Sequence, residues 1–219
     1  MSAPLRTRDP QRKQKILASA ADLVARQGYH AASMADIGSA AGVTGSAIYR
    51  HFGSKSAVLV ALFDRVIDRL RRDQRRILRR TTDPATALAQ LVDIQVDFVM
   101  SNRELARVYI REINNLPDAD RRRLRRKQRL YVEEWVALLL VESHMSDDAA
   151  RSTVHAAIGA IQSALLYTSG LPDSELRQVL RRAGAAVLDS LERAPLREGC
   201  TGTVNGREGM RSPRRRAPA

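Results

Sequence analysis

Apolar residues recur at three- and four-residue intervals along most of this chain, and no stretch alternates with a period of two over the length of a strand. The pattern predicts an all-α fold. Between Pro10 and Gln27, Ile16, Ala20, Leu23 and Val24 form one stripe of an amphipathic first helix. Two short helical segments and a tight turn follow from Ser33. A long fourth helix then carries Val58, Leu59, Leu62, Phe63, Val66, Ile67 and Leu70 and runs to about Arg80. Its opposite face, with Arg65, Arg69, Arg72, Arg76 and Arg79, reads as solvated, with Asp68 placed four residues before Arg72 to pair with it. Pro84 opens a fifth helix with Leu88, Leu91, Gln95 and Phe98 on one side. Asn102 marks a break before a sixth, Glu104 to Leu116, which Pro117 closes. A seventh is expected from Asp118 to His144. The eighth, opened by Asp147 and Asp148, carries Val154, Ile158, Ile161 and Leu165 and ends near Gly170; the ninth runs from Asp173 to about Arg193.

The segment SMADIGSAAGVTGSAIYRHFGSK, residues 33–55, is the most informative part of the chain. Ser33 is placed to cap a short helix with Asp36 at capping-box spacing, and Ile37, Ala40 and Ala41 give that helix a small inner face. Gly42 supplies the turn and Val43 plugs the corner. Thr44 is placed to cap the next helix, in which Ile48 and Phe52 face inward and Gly45, Ser46, Ala47, Tyr49, Arg50 and His51 surround the rest. A small, polar, basic outer face on the second helix suits the major groove of DNA.

With the preceding amphipathic helix, Gly28 and Tyr29, the run Tyr49, Arg50, His51, Phe52 and then Ser54 and Lys55, these residues resemble the DNA-binding domain of the TetR family of bacterial transcriptional regulators. The resemblance implies that Ser33, Thr44, Gly45, Ser46, Tyr49, Arg50, His51 and Lys55 contact DNA, with Lys55 holding a phosphate at the start of the fourth helix. It implies a helix-turn-helix domain over residues 1–56 and a helical ligand-binding and dimerisation domain over 57–192.

Charge sharpens this division. The 219 residues carry a net charge of +13, of which residues 1–56 hold +5, residues 57–192 hold +3 and residues 193–219 hold +5. Arg6, Arg8, Arg12 and Lys13 form a basic arm ahead of the first helix, suited to phosphates or a minor groove. The tail over 193–219, rich in Gly, Pro and Arg, is expected to be disordered. Cys200 is the one cysteine, so no disulfide framework or thiolate metal site is available within the chain. With no apolar run long enough to span a bilayer and no apolar leader, no membrane association is expected, and the expected location is the cytoplasm.

Ala156, Ala157, Gly159, Ala160, Ser163 and Ala164 on the eighth helix would let another helix approach closely, and the ninth offers Leu176, Val179, Leu180, Ala183, Val187 and Leu191. By the same resemblance these two helices pair with their copies in a homodimer suited to a palindromic double-stranded DNA operator. Polar or aromatic residues embedded in apolar stripes are the candidates for an effector pocket: Gln95, Phe98, Tyr109, Asn114, Tyr131, Trp135, Gln162 and Tyr167. Arg121, Arg122, Arg123, Arg125, Arg126, Lys127 and Arg129 crowd the first turns of the seventh helix, where the dipole disfavours positive charge. An apolar pocket beneath such a cluster would match an acyl-CoA or fatty acid effector.

The chain has no Gly-rich phosphate loop or nucleophile elbow, and His30, His51, His144 and His155 are scattered rather than paired at metal spacing. Neither an enzyme nor a cofactor is expected. The resemblance implies a ligand-responsive regulator acting as a repressor. Its alternative, on charge alone, is a non-specific architectural DNA-binding protein, which would not prefer one DNA sequence over another.

Overall fold

The computed structural model describes residues 10–190, so Arg6 and Arg8 of the basic arm, Leu191 and the tail over 193–219 lie outside the described residues. Among the described residues the chain is all helical: α1 (Pro10–Gln27), α2 (Met34–Ala40), α3 (Gly45–His51), α4 (Lys55–Arg80), α5 (Pro84–Ser101), α6 (Arg103–Glu112), α7 (Asp118–Glu142), α8 (Asp147–Gln162) and α9 (Asp173–Asp189). Short 3-10 turns continue α6 over Ile113–Asn115 and α8 over Ser163–Leu165. The sixth helix therefore ends as an α-helix at Glu112 rather than Leu116, the seventh at Glu142 rather than His144, and the eighth well short of Gly170.

Side-chain caps explain several of the starts. Ser54 accepts from the Ala57 amide at the head of α4, Asp83 accepts from the Thr86 amide ahead of Pro84, and Ser146 accepts from the Ala149 amide at the head of α8. Each satisfies an amide that the first helical turn leaves without a partner.

Two apolar cores share two long helices, α4 and α7. Ile16, Ala20, Ile37, Ile48 and Phe52 meet Val58, Leu59, Leu62 and Phe63 of α4 in the first core. That core is completed by Leu105 and Val108 of α6, Ile113 and Leu116 beyond it, and Leu124 of α7. Leu91, Val96, Trp135, Leu139, Val154, Ile161 and Leu180 belong to the second, to which α4 contributes Ile77. Both α4 and α7 enter the two cores, so packed side chains rather than a loose linker join them.

In the second core α9 packs tightly against α8 at Gly184, where an added Cβ would lie 2.9 Å from Cδ1 of the buried Ile161. Salt bridges from Arg181 to Asp93 and from Arg177 to Asp97 fasten α9 to α5 along the rim.

Candidate functional site

The helix-turn-helix is assembled by short-range bonds. The Ser33 side chain accepts from the Asp36 amide, and the Asp36 carboxylate accepts in return from the Ser33 amide and hydroxyl. These bonds hold the Asp36 carboxyl below its usual range. Gly42 takes φ +66°, a left-handed conformation that L side chains rarely adopt, and thereby turns the chain from α2 into α3. Val43 is half-buried at the corner, while Ile48 and Phe52 are buried.

Thr44 is exposed at the N-cap position of α3, although its hydroxyl does not make the cap hydrogen bond. Gly45 and Ser46 form the start of α3. Tyr49 is 57% exposed and Arg50 is exposed, so both are presented outward, whereas His51 is half-buried. Lys13 of α1 lies over the Phe52 ring at 5.5 Å, which brings the first helix's basic end beside the same surface.

Lys55 has an internal role as well. Its ammonium donates to the His30 carbonyl at 3.0 Å and sits 4.5 Å from the centre of the Tyr29 ring. His30 Nε2 in turn lies 2.8 Å from Oε1 of the buried Glu112, at the end of α6. The turn after α1 is thus tied both to the head of α4 and to the tail of α6.

A cavity of about 160 Å³ lies among α4, α5, α6, α7 and α8. Of the expected lining residues it brings together Gln95, Phe98, Tyr109, Tyr131 and Gln162. The remaining three are placed elsewhere. Asn114 is exposed in the 3-10 turn after α6, where its side-chain oxygen accepts from Arg125. Trp135 is wholly buried in the second core, edge-on to Tyr131 but off the cavity wall, and Tyr167 is 51% exposed beyond α8. The wall also includes Phe63, Gln128, His155 and Gly159. His155 and Gly159 share helical spacing with Ile158 and Gln162, a periodicity that would have revealed them.

Within the wall, Phe63 of α4 and Tyr109 of α6 stack edge to face, with ring centres 4.8 Å apart at 79°. The Tyr109 hydroxyl donates to Gln128 at the rim. Burial pushes the Tyr109 phenol up and the nearby Arg125 opposes this, leaving a neutral hydrogen-bonding hydroxyl.

The arginine-rich start of α7 is partly accounted for by carboxylates. Arg121 pairs with Asp118, Arg123 with Asp120 and Asp64, and Lys127 with Asp64 and Asp68. Asp68 therefore engages Lys127 rather than its expected helical neighbour Arg72. Arg122 lies 3.9 Å from Asp118, Arg125 bonds the neutral Asn114, and Arg126 and Arg129 have no acidic partner among the described residues.

No group of His, Cys, Asp and Glu among the described residues is arranged to hold a metal ion, and no described helix is long and apolar enough to cross a membrane. What remains is a helix-turn-helix joined through a shared helix to a cavity-bearing helical domain. This is the architecture of a helix-turn-helix DNA-binding regulator.

Comparison with known proteins gives the same class. A family model described as "Bacterial regulatory proteins, tetR family" matches residues 16–62, and a "Tetracyclin repressor-like, C-terminal domain" matches residues 81–165. The chain belongs to the TetR family of transcriptional regulators. It is 36% identical over 89 residues to the HTH-type transcriptional activator FasR of Mycolicibacterium smegmatis, a match spanning 41% of each protein. Similarity to the HTH-type transcriptional repressor KstR2 of Rhodococcus jostii is 26% over 144 residues, covering 65% of this chain and 70% of that one.

A TetR-family regulator from Bordetella parapertussis shares the fold with a TM-score of 0.68 at 24% identity, over 82% of this chain and 95% of its own. The structure of AibR in complex with isovaleryl coenzyme A and operator DNA gives 0.66 at 18%, over 78% of this chain and 96% of its own.

Proposed function

We propose that this protein is a cytoplasmic, non-enzymatic repressor that binds a palindromic operator as a homodimer and releases it when an acyl-CoA enters the cavity. The observation that carries this reading is the Phe63–Tyr109 stack, because each ring lines the cavity while Phe63 also belongs to the core of the DNA-binding helices. A ligand that separates the two rings moves α4 against α6, and with it the orientation of α3.

Residues 1–56 act as the reader in this scheme, with Tyr49 and Lys55 on phosphates and Ser46 and Arg50 at base edges. Residues 57–192 hold the ligand and the partner subunit. The exposed face of α8 and α9, with Ala156, Gly159 and Val179, is the contact between subunits. Arg122, Arg125, Arg126 and Arg129 lack a committed carboxylate in good geometry and serve as the anchor for ligand phosphates. An acyl-CoA-bound relative of this fold supports the ligand class.

The test begins with duplexes enriched from a random library by the purified protein. Selective enrichment, with affinity about a thousand-fold or more above unrelated DNA, supports the regulator; equal binding to all duplexes favours an architectural protein. Isovaleryl-, hexanoyl- and lauroyl-CoA are then titrated into the complex, with the free acids as controls. Release by the thioesters that is lost when the four arginines are changed to Glu supports the reading, and release that is unaffected by charge reversal overturns the phosphate anchor.

A further inference from the structure

The cavity contains a deep polar pair. Gln95 of α5 is 3% exposed and Tyr131 of α7 is 4% exposed, yet both line the cavity. The Tyr131 hydroxyl donates to Gln95 Oε1 at 3.1 Å. That bond uses the phenol's single proton, whereas a carboxamide nitrogen carries two more. No acceptor among the described residues takes the Gln95 Nε2 protons, and this nitrogen is not sealed away from the cavity space.

Neighbouring groups hold the pair in place. Burial pushes the Tyr131 phenol far above its ordinary value, so it keeps its proton and remains the donor to Gln95. The buried Gln74 of α4 donates to the Tyr131 carbonyl at 2.8 Å, fixing that turn of α7 against α4. Trp135, one turn on, sets its ring edge-on to Tyr131 with centres 6.0 Å apart.

A link whose only task was to join α5 to α7 would be complete with the Tyr131–Gln95 bond. Instead the pair leaves an N–H donor facing an otherwise largely apolar cavity, where an unpaired donor is costly and an acceptor oxygen is correspondingly favoured.

We infer that the Gln95 carboxamide, oriented by Tyr131, anchors an acceptor oxygen carried on the apolar body of the effector, so that the cavity selects carbonyl-bearing molecules over plain hydrocarbon chains. This rests on the reading that the cavity is the effector site, and it adds the ligand chemistry that the site demands. In an acyl-CoA the acceptor is the thioester carbonyl or a keto oxygen further along the chain. An occupant held there is coupled to α4 through Gln74, since Tyr131 is shared by both bonds.

Cavity size suggests a direct test. A dry apolar cavity of about 150 Å³ holds benzene, so the cavity of about 160 Å³ takes a six-membered ring. Cyclohexanone and methylenecyclohexane have nearly the same shape and differ in a carbonyl oxygen. The chain has one tryptophan, so the full-length ¹⁵N-labelled protein gives a single indole cross-peak, from Trp135, which reports events at the adjacent Tyr131.

Titrating each probe gives two dissociation constants and their ratio, which cancels general changes in cavity access. Gln95→Leu and the shape-matched Gln95→Met are expected to lower the preference for the ketone, relative to the alkene, by about tenfold or more. Tyr131→Phe should lower it less, since the carboxamide survives but loses its orienting bond. Operator binding identifies the folded variants, and the conservative methionine guards against loss of fold in the leucine.

A ketone-to-alkene ratio that stays within twofold of the native protein in either folded Gln95 variant overturns the anchor while leaving the effector cavity standing. If neither probe moves the Trp135 peak or competes with an acyl-CoA, the cavity reading fails and the anchor fails with it.

Discussion

His30 Nε2 and Glu112 Oε1 meet at 2.8 Å across 82 residues of sequence, so the turn that follows α1 is bonded to the end of a helix that also lines the cavity. Glu112 is buried and its other oxygen accepts from Asn115, whereas the His30 side chain is 82% exposed. Lys55 fastens the same turn to the head of α4 through the His30 carbonyl. The DNA-binding helices are therefore fixed to α4 and α6 at one shared corner.

His30→Ala and Glu112→Gln should accordingly change regulation more than stability. His30 is exposed but Glu112 is buried and keeps its bond from Asn115, so each change should cost about 1–2 kcal/mol, and melting should move by only a few degrees. The expected loss is in coupling: the factor by which ligand lowers operator affinity should shrink in both variants, with base preference unchanged. Fluorescence anisotropy with and without saturating ligand measures this factor, and an undiminished factor in both would show that the corner does not transmit the signal.

Lys55 and Arg50 are expected to separate by salt and sequence dependence. Lys55→Ala should weaken binding to all duplexes and reduce the slope of log affinity against log salt by about one unit, as for one lost phosphate contact. Arg50→Ala should instead flatten discrimination among operator variants. Because Lys55 also anchors the His30 turn, Lys55→Ala should lower the melting temperature slightly. Retention of the full salt slope would assign Lys55 to that anchoring role alone.

Short-range chemistry was the legible part of this chain. The Ser33–Asp36 box, the turn at Gly42 and the start at Pro84 depend on residues three or four apart, so their outcome could be read from spacing. Asp68 could not be assigned in that way. Its neighbour Arg72 was the local candidate, but α7 delivers Lys127 from 59 residues away. The α-helical ends at Glu112 and Gln162 pass into 3-10 turns with no glycine or proline at the transition. Gln95 and Tyr131 are legible as polar or aromatic residues within apolar stripes, but the same criterion selects Trp135. Only the packing of α7 against its neighbours decides which of those side chains reaches the cavity and which fills the core.

Assembly is tested on the face left exposed by α8 and α9. Leu176 and Leu180 are buried within the subunit, while Val179 remains 48% exposed and Ala156 is exposed. Arginine at either exposed position should place an unpaired charge between subunits at a cost of several kcal/mol. Light scattering should then report monomers, and operator affinity should collapse although the reader is untouched. A dimeric Val179→Arg or Ala156→Arg protein would move the interface to another face.

Between α8 and α9 themselves, Gly184 leaves no room for a branched side chain beside Ile161. Gly184→Val should therefore destabilise the protein by about 1–3 kcal/mol through overpacking, although valine is the better helix former. Urea denaturation would detect this, and unchanged stability would mean that α9 can move away from Ile161 at little cost.

The bonds from α7 to α4 centre on Asp64 and carry a definite pH dependence. Burial opposes ionisation of Asp64, but hydrogen bonds from Arg123 and Lys127 outweigh it and hold the carboxyl below its usual range. A carboxyl lowered in the folded state contributes stability that is complete above its unfolded value, about 3.9, and is lost as pH falls through the lower folded value. Lys127 has the opposite sign. Burial disfavours its charge, yet the bonds to Asp64 and Asp68 raise it overall, so its contribution holds below about 10.4 and is lost only as pH rises through the folded value. Asp64→Asn should thus cost about 1–2 kcal/mol at neutral pH, the value of hydrogen bonds to a charged group at a partly exposed site. Urea denaturation of the native and variant proteins at pH 7 and at successively lower pH gives the difference directly. It should be constant down to about pH 4 and close below that. A deficit that persists unchanged once both proteins are below the folded value would show that Asp64 acts through its shape and not through its charge.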